Sequence, residues 1–295
     1  MATGLKLIIK DFSGGYNRLV DYFQTHNALV ENVFEREGCP IHYWVGGPDN
    51  RPLIVMMHGA AMDHRMFNAQ VEALIPEYRV LVWDARGHGK SQPIGKDFSL
   101  EICAEDMLAI LDKIGVGKAV IGGQSLGGYI TQHVYIAAPH RVMGAIIIGS
   151  TPLAKAYSKL EIIALKATMP LFGIWPYGHL TKTIARNTAI TEPVRNYALE
   201  ASRQIDHENF LRIWKAVTLA VDERGRADLK INVPLLLMHG QHDRTGSIRR
   251  DMPHWPDREP CAFYHVIPDA GHNANQDNPA FTNEKLLEFL QQFDL

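Results

Sequence analysis

The chain of 295 residues contains little cysteine and no long apolar run. Its three cysteines, Cys39, Cys103 and Cys261, are far apart and odd in number. They therefore form neither a disulfide framework nor a paired metal-binding motif, and they suit a reducing cytoplasm. The first residues hold only a short apolar run between Lys6 and Lys10, which is unlike a secretory signal. No window approaches the roughly 18 apolar residues of a spanning helix. The sequence predicts a cytoplasmic protein without a membrane span.

The chain also lacks an excess of charge of either sign. Lys and Arg number 30 and Asp and Glu number 32, so the formal net charge is −2 and the pI is near 6.7. This balance provides no electrostatic footprint for nucleic acid or for an anionic membrane surface. We therefore expect a small-molecule partner and no nucleic acid, while the oligomeric state stays open.

Short apolar runs alternate with helix-like segments along most of the chain. Runs of four to six aliphatic residues bounded by Gly or Pro are typical of strands that are covered on both faces. Alternation with helices predicts an α/β fold, in which a mostly parallel central sheet is flanked by helices. The residues 31–36 and 41–45 read as an antiparallel hairpin at one edge. The clearest predicted strands are Leu53–Met57, Val80–Trp83, Ala119–Gly122, Ala145–Ile148, Leu235–Met238 and Ala262–Ile267.

The rhythm changes between about residues 151 and 229. Amphipathic helical stretches follow one another there, broken by Pro170, Pro176 and Pro193, and no clear strand appears. A helical block of this length is too long for an ordinary connection between strands, and it predicts an inserted helical cap. The α/β core then comprises residues 31–150 and 230–295. Residues 1–30 form an N-terminal extension, with a possible helix over 16–25.

The sequence Gly123-Gln124-Ser125-Leu126-Gly127 fits the pattern G-x-S-x-G. A predicted strand precedes it and a predicted helix follows, which is the setting of a nucleophile elbow. The glycines permit a tight turn that lifts the Ser125 hydroxyl out of the sheet, and the Leu126 N–H then lies at the start of a helix, directed at a developing oxyanion. We interpret Ser125 as a candidate nucleophile.

A serine hydroxyl needs a base, and the base needs an orienting acid. Asp243 follows the predicted strand at 235–238, and His272 follows the predicted strand at 262–267. Parallel strands bring both residues to the edge of the sheet where Ser125 emerges. The sequence therefore predicts a triad of Ser125, Asp243 and His272.

Together these motifs resemble the α/β-hydrolase superfamily over about residues 31–295. His58-Gly59-Ala60-Ala61 resembles its oxyanion loop, and Asp84-Ala85-Arg86-Gly87-His88-Gly89-Lys90-Ser91 resembles the stretch after the next strand. The resemblance implies a serine nucleophile, a general base at His272 and an orienting acid at Asp243. It also implies an oxyanion hole formed by the backbone N–H groups of Ala60 and Leu126. His58 is expected to hold its loop by hydrogen bonding.

No cofactor or metal is expected. His239, His242 and Asp243 do not make up a closed zinc site. The residues before Lys90 fail the phosphate-loop pattern because Asp84 stands where glycine is required, and no dinucleotide fingerprint appears.

Serine at the elbow indicates acyl transfer rather than the alkylation chemistry of related dehalogenases. We expect hydrolysis of a small to medium, largely apolar carboxylic ester or lactone, with an aromatic pocket that includes Trp175, Tyr177 and Trp214 of the cap. A C–C bond hydrolase, although Asn273 replaces the tryptophan often found there, and a cofactor-free perhydrolase or haloperoxidase would use the same triad. A ligand-binding receptor on the same fold is a third alternative.

Overall fold

A computed structural model describes residues 7–9, 18–220, 226 and 228–293, with the backbone alone for residues 7–9 and 18–20. Ten strands and ten α-helices are present in these ranges. The strands are β1 Leu7–Ile9, β2 Arg18–Val20, β3 Val30–Arg36, β4 Cys39–Gly46, β5 Leu53–Met57, β6 Arg79–Trp83, β7 Ala119–Gln124, β8 Val142–Ile148, β9 Leu235–Gly240 and β10 Ala262–Ile267. The helices are α1 Asn68–Leu74, α2 Leu100–Lys113, α3 Leu126–Ala137, α4 Lys159–Ile174, α5 Tyr177–Thr188, α6 Glu192–Arg203, α7 His207–Leu219, α8 Ile248–Asp251, α9 Ala274–Asp277 and α10 Pro279–Leu290.

The predicted sheet is confirmed. Eight strands form it in the order β10-β9-β8-β7-β5-β6-β4-β3. The pairs from β10 through β6 are parallel, and β4 joins β6 and β3 in antiparallel fashion. The predicted hairpin is thus β3–β4 at the sheet edge. The central strands β5, β7, β8 and β9 are buried along their whole length or nearly so, because helices cover both faces.

Four helices, α4 to α7, lie between β8 and β9, in the range for which the sequence predicted a cap. Residues 221–225 and 227 of that range are outside the described residues. The predicted break at Pro170 is wrong, because α4 continues through this proline. Pro170 and Lys166 are both exposed, so the Lys166 carbonyl that loses its helical N–H partner faces solvent.

The possible helix over 16–25 is also not observed where the structure describes it. Residues 18–20 form β2, which pairs with β1, and the Asp21 carboxylate accepts a hydrogen bond from the Phe23 N–H in the turn that follows. Asp at such a position favours a turn over a helix. Residues 1–6 and 10–17 of the predicted extension lie outside the described residues. Among the helices that are described, none combines the length and apolar character needed to cross a bilayer.

Candidate active site

Ser125 occupies the turn between β7 and α3. Its backbone has φ 51° and ψ −111°, a conformation that is strained for a residue with a side chain. Two hydrogen bonds to the end of β8 hold the turn: the Ser125 N–H donates to the Ile148 carbonyl at 2.8 Å, and the Ser150 hydroxyl donates to the Ser125 carbonyl at 2.6 Å. The serine is therefore presented by a rigid elbow at the carboxyl end of the sheet.

The elbow is possible only because glycines stand on both sides of it. A Cβ atom on Gly127 would lie 1.9 Å from the Met57 carbonyl oxygen at the end of β5, and one on Gly123 would lie 2.3 Å from the Gly127 carbonyl carbon. These contacts show how closely α3 approaches the sheet. The G-x-S-x-G pattern thus has a packing cause in this chain.

Asp243 and His272 meet at the same edge of the sheet. His272 Nδ1 lies 2.8 Å from Asp243 Oδ2, and both side chains are buried. The Thr245 N–H donates to the other carboxylate oxygen at 2.8 Å. Burial opposes ionisation of Asp243, but the charge and hydrogen bond of His272 and the Thr245 amide outweigh it and hold the pKa of the carboxyl below its usual value. The carboxylate thereby fixes the proton on Nδ1 and leaves His272 Nε2 as the basic nitrogen.

Ser125 and His272 both line one cavity of about 670 Å³. Ala60, in the loop that follows β5, lines it as well, while Leu126 is the first residue of α3. The N–H groups of Ala60 and Leu126 donate no hydrogen bond to any acceptor in the described ranges. For Leu126 this is the normal condition of the first turn of a helix. Two free amides therefore accompany the candidate nucleophile.

His58 has a structural role in the loop that carries Ala60. Its Nδ1 donates to the Gly59 carbonyl at 2.8 Å, and its Nε2 accepts from the Ala85 N–H at 3.0 Å. Burial lowers the pKa of His58, so the ring stays neutral, as this pattern of one donor and one acceptor requires. The expected loop-holding role of His58 agrees with this geometry.

Two residues that the sequence analysis missed hold the base loop. The Gln124 side chain, next to the candidate nucleophile, donates to the His272 carbonyl at 2.9 Å. The buried Asp277 carboxylate accepts from the Gly271 N–H at 2.9 Å and from the Thr191 N–H at 2.9 Å. Asp277 thus joins the loop of His272 to the junction of α5 and α6. Gln124 stands at a variable position of the G-x-S-x-G pattern, and Asp277 lies outside the motifs, so the patterns alone assign neither residue a role.

The cavity walls are mostly apolar and come from the helices α4, α5 and α7 as well as from the core. Of the predicted pocket residues, Trp175 and Trp214 lie in the wall, and the Trp214 indole donates to the Thr168 hydroxyl at 2.7 Å. Tyr177 does not line the cavity: its hydroxyl donates to the Ser202 carbonyl at 3.0 Å and its ring stacks on His207. The apolar wall consists of Tyr129, Leu165, Phe172, Trp175, Leu180, Ile184, Phe210, Trp214 and Val217.

A chain of three hydroxyl groups lies in this wall. The Tyr157 hydroxyl donates to Thr151 Oγ1 at 2.5 Å, and Tyr129 Oη lies 2.7 Å from the same atom. Burial raises the pKa of both tyrosines, so they remain neutral. Three oxygens joined by two hydrogen bonds use two of their three protons. One O–H donor is therefore left over within the group.

Two charged side chains that pair with each other, Glu161 and Arg250, line the cavity, and Lys155 and Asp251 lie next to them. Glu161 of α4 pairs with Arg250, and Lys155 pairs with Asp251 at 2.5 Å. Hydrogen bonds from the Ser158 backbone, from Arg250 and from the Ser158 hydroxyl lower the pKa of Glu161 to about 2. The charges of Glu161 and Arg250 therefore compensate one another within the cavity lining.

Residues 84–91, which follow β6, are held by buried hydrogen bonds and ion pairs. Arg86 and Asp106 form two hydrogen bonds of 2.7 Å, and both are fully buried. Asp84 accepts from the Lys90 N–H and from His64, as expected for a tight structural turn. The ligand atoms of Asp63, His64 and Asp84 lie within 4.8 Å of one another. Arg65 forms an ion pair with Asp63, and His64 donates a hydrogen bond to Asp84, so both carboxylates of this cluster already have partners from the protein.

Known proteins resemble this chain over most of its length. A family model described as serine aminopeptidase, S33, matches residues 48–272. The 3-oxoadipate enol-lactonase 1 of Acinetobacter baylyi is 25% identical over 286 residues, which span 92% of this chain and 97% of that protein. The pimeloyl-(acyl-carrier protein) methyl ester esterase of Aeromonas hydrophila is 28% identical over 258 residues, or 84% of this chain and 95% of the esterase. The crystal structure of the enol-lactonase from Burkholderia xenovorans LB400 superposes with a TM-score of 0.76 at 23% identity, over 88% of this chain and all of that one.

Proposed function

Because the chain belongs to the serine aminopeptidase S33 family of α/β hydrolases, we propose that it is a serine hydrolase of a small to medium, largely apolar carboxylic ester or lactone. The observation that carries the proposal is that Ser125 and His272 line one cavity, while His272 is bonded to Asp243 at 2.8 Å. The names of two relatives, an enol-lactonase and a methyl ester esterase, support the two substrate classes.

In the proposed reaction, Ser125 Oγ attacks the substrate carbonyl carbon while its proton passes to His272 Nε2. The N–H groups of Leu126 and Ala60 stabilise the negative oxygen of the tetrahedral intermediate. The protonated His272 then gives its proton to the leaving alkoxide, which departs as an alcohol or as the opened end of a lactone. Water, deprotonated by His272, attacks the acyl-enzyme and releases the carboxylic acid. Asp243 orients His272 and stabilises its charged form.

The cavity supports the apolar substrate class. Its volume of about 670 Å³ is within the range of small-molecule sites, and its walls are largely aromatic and aliphatic. Glu161 and Arg250, which line the cavity, are paired with each other, so the lining offers no uncompensated guanidinium or ammonium group for an acidic substrate. The unused O–H donor of the Tyr129, Thr151 and Tyr157 group would bind one further oxygen of the substrate.

Initial rates against 4-nitrophenyl esters of increasing acyl length and against simple lactones test the proposal. Ser125→Ala should abolish turnover while the fold survives, and Ser99→Ala at the start of α2 is a matched control that should retain it. An aminoacyl 4-nitroanilide in the same panel tests amide hydrolysis. Turnover that persists in Ser125→Ala would exclude the proposed nucleophile. A folded wild-type protein without hydrolysis of any ester or lactone would instead favour C–C cleavage, perhydrolysis or ligand sensing.

A further inference from the structure

The outer face of α4 carries large apolar side chains that the rest of the described chain leaves uncovered. Leu160 is 79% exposed, Ile163 62%, Leu171 48% and Ile174 82%. The exposed Ala167 lies between them. Spacings of three and four residues place all five on one side of the helix. We call these five residues the α4 stripe. A monomeric protein rarely leaves such a contiguous apolar surface in water without a binding role.

The α4 stripe adjoins the mouth of the cavity. The opposite face of the same helix lines the cavity with Leu165, Thr168 and Phe172. Ala164, between the two faces, is exposed and also lines the cavity. A partner that binds the α4 stripe would therefore lie beside the entrance through which an apolar substrate passes.

Positive charge borders the stripe. Lys159 and Lys166 are seven residues apart, so they lie on the same side of α4, and both are exposed. Neither has a carboxylate partner among the described residues. Glu161, the one acidic residue of α4, is paired with Arg250. The border of the stripe thus has unpaired cations, while its carboxylate is neutralised.

The same sign of charge extends over the surrounding helices. Residues 151–220 contain nine Lys and Arg against five Asp and Glu, a formal charge of +4, whereas the remainder of the chain has −6. An apolar stripe with a basic border is the pattern of a helix that lies in a membrane interface, where anionic lipids attract the basic residues. In a symmetric contact between two copies of the stripe, the basic borders would face one another and repel.

We propose that α4 docks on an anionic phospholipid surface, with the α4 stripe buried among the lipids and Lys159 and Lys166 against the headgroups. This proposal is independent of the proposed hydrolysis, because it concerns the outer face of the helix. Docking would place the cavity mouth at the lipid boundary.

Co-sedimentation of the full chain with vesicles tests the proposal. Vesicles of phosphatidylcholine alone are compared with vesicles that also contain phosphatidylglycerol, at low and high salt. We expect binding to the anionic vesicles that salt weakens. Ile163→Glu combined with Ile174→Glu should reduce it at least about tenfold, since two anchors are lost and two anionic charges are added. Lys159→Gln and Lys166→Gln should each reduce it about fivefold. Val30→Glu, at a residue of β3 that is 67% exposed, is the matched control and should bind normally.

Hydrolysis of a soluble 4-nitrophenyl ester by each variant checks the fold and separates the two proposals. Vesicle binding without any hydrolysis would refute the proposed function and leave the docking proposal intact. No binding of the wild type to anionic vesicles would overturn the docking proposal. It would also be overturned by equal losses in the stripe variants and the Val30→Glu control. Sedimentation velocity tests whether a second copy of the chain covers the α4 stripe instead. A dimer that dissociates when Ile163→Glu and Ile174→Glu are introduced would assign the stripe to that second copy and overturn the docking proposal.

Discussion

The carboxylate of Asp243 makes one bond to His272 and another to the Thr245 N–H, both at 2.8 Å. Asp243→Asn keeps the size of this side chain but can offer His272 an N–H donor, so the imidazole would be held with its proton on the wrong nitrogen. We expect kcat to fall by about 10⁴-fold, as in other triads, with the fold retained. Steady-state kinetics on a 4-nitrophenyl ester and the melting temperature measure the two effects.

Asp269→Asn is the matched control for that variant. Asp269 lies on the same loop as His272, is exposed, and has φ 54°, a conformation that asparagine tolerates. Its rate should remain within a few-fold of the wild type. If Asp243→Asn retained most of the wild-type kcat, the assignment of Asp243 as the orienting acid would be wrong.

His88 is one buried histidine that should make the fold sensitive to acid. Burial, together with the neighbouring His58, lowers the pKa of His88 from 6.5 to about 3. The unfolded chain therefore binds a proton near pH 6.5, before the folded protein does. The contribution of His88 to the free energy of unfolding should therefore fall as the pH drops below 6.5, by up to about 1.4 kcal/mol per pH unit, and level off near pH 3.

Chemical denaturation of His88→Leu at several pH values isolates this contribution. The variant should lose less stability than the wild type between pH 6.5 and acid pH, because the group that titrates has been removed. His254→Leu removes an exposed histidine, whose side chain is 78% accessible, and should keep the wild-type slope. Identical slopes for the wild type and His88→Leu would show that His88 does not carry the effect.

At the scale of elements, the contact between α3 and β5 depends on Gly127. Its missing side chain leaves room for the Met57 carbonyl oxygen, which would stand 1.9 Å from a Cβ. Gly127→Ala should lower the free energy of unfolding by about 3 kcal/mol, because backbone must move. Gly117→Ala is the control: nothing lies within 4 Å of its Cβ position, and a change within about 1 kcal/mol in the stabilising direction is expected. Urea denaturation measures both, and equal stabilities would contradict the close packing of the elbow.

The elements that the sequence predicted well are those whose signal is local. Continuous apolar runs define the buried strands, and the predicted bounds of β5 and β10 agree with the structure at both ends. Helix ends depend on caps instead. For example, α10 begins at Pro279, where the Asn278 side chain accepts a hydrogen bond from the Phe281 N–H. Pro170 was misread because its position on the exposed side of α4 is a tertiary property.

At the scale of the whole molecule, some residues of the candidate site could be predicted from the sequence and others could not. Ser125, Asp243 and His272 could be placed together because each follows a strand of a parallel sheet. The three hydrogen-bonded hydroxyls of Tyr129, Thr151 and Tyr157 could not be predicted to lie together. These residues come from α3 and from the segment after β8, and they meet only through packing. Tyr177 shows the reverse error: it is aromatic and in the predicted cap, but it packs inside that segment.

Whole-chain charge conceals an uneven distribution. The net charge of −2 gave no indication of a membrane surface, yet residues 151–220 have +4 and the rest of the chain has −6. Three ion pairs connect the two parts, and residues 151–220 supply the carboxylate in two of them: Arg65 pairs with Glu200 at 2.9 Å, Arg250 pairs with Glu161, and Lys155 pairs with Asp251 at 2.5 Å. Electrostatic attraction therefore contributes to holding α4 and α6 against the core.

Salt should weaken this attraction, because the pairs are partly exposed and screening acts on exposed charges. Each such pair contributes about 0.2–1 kcal/mol, so moderate NaCl should lower the melting temperature of the wild type by about 2 °C. The double variant Glu161→Gln and Glu200→Gln should melt lower at low salt and respond less to added salt. Glu288→Gln removes one exposed pair with Lys285 within α10, so it should alter the salt response less than the double variant does. Calorimetry at low and moderate salt measures these melting temperatures. If the melting temperature of the double variant responded to salt as that of the wild type does, apolar packing alone would hold these helices to the core.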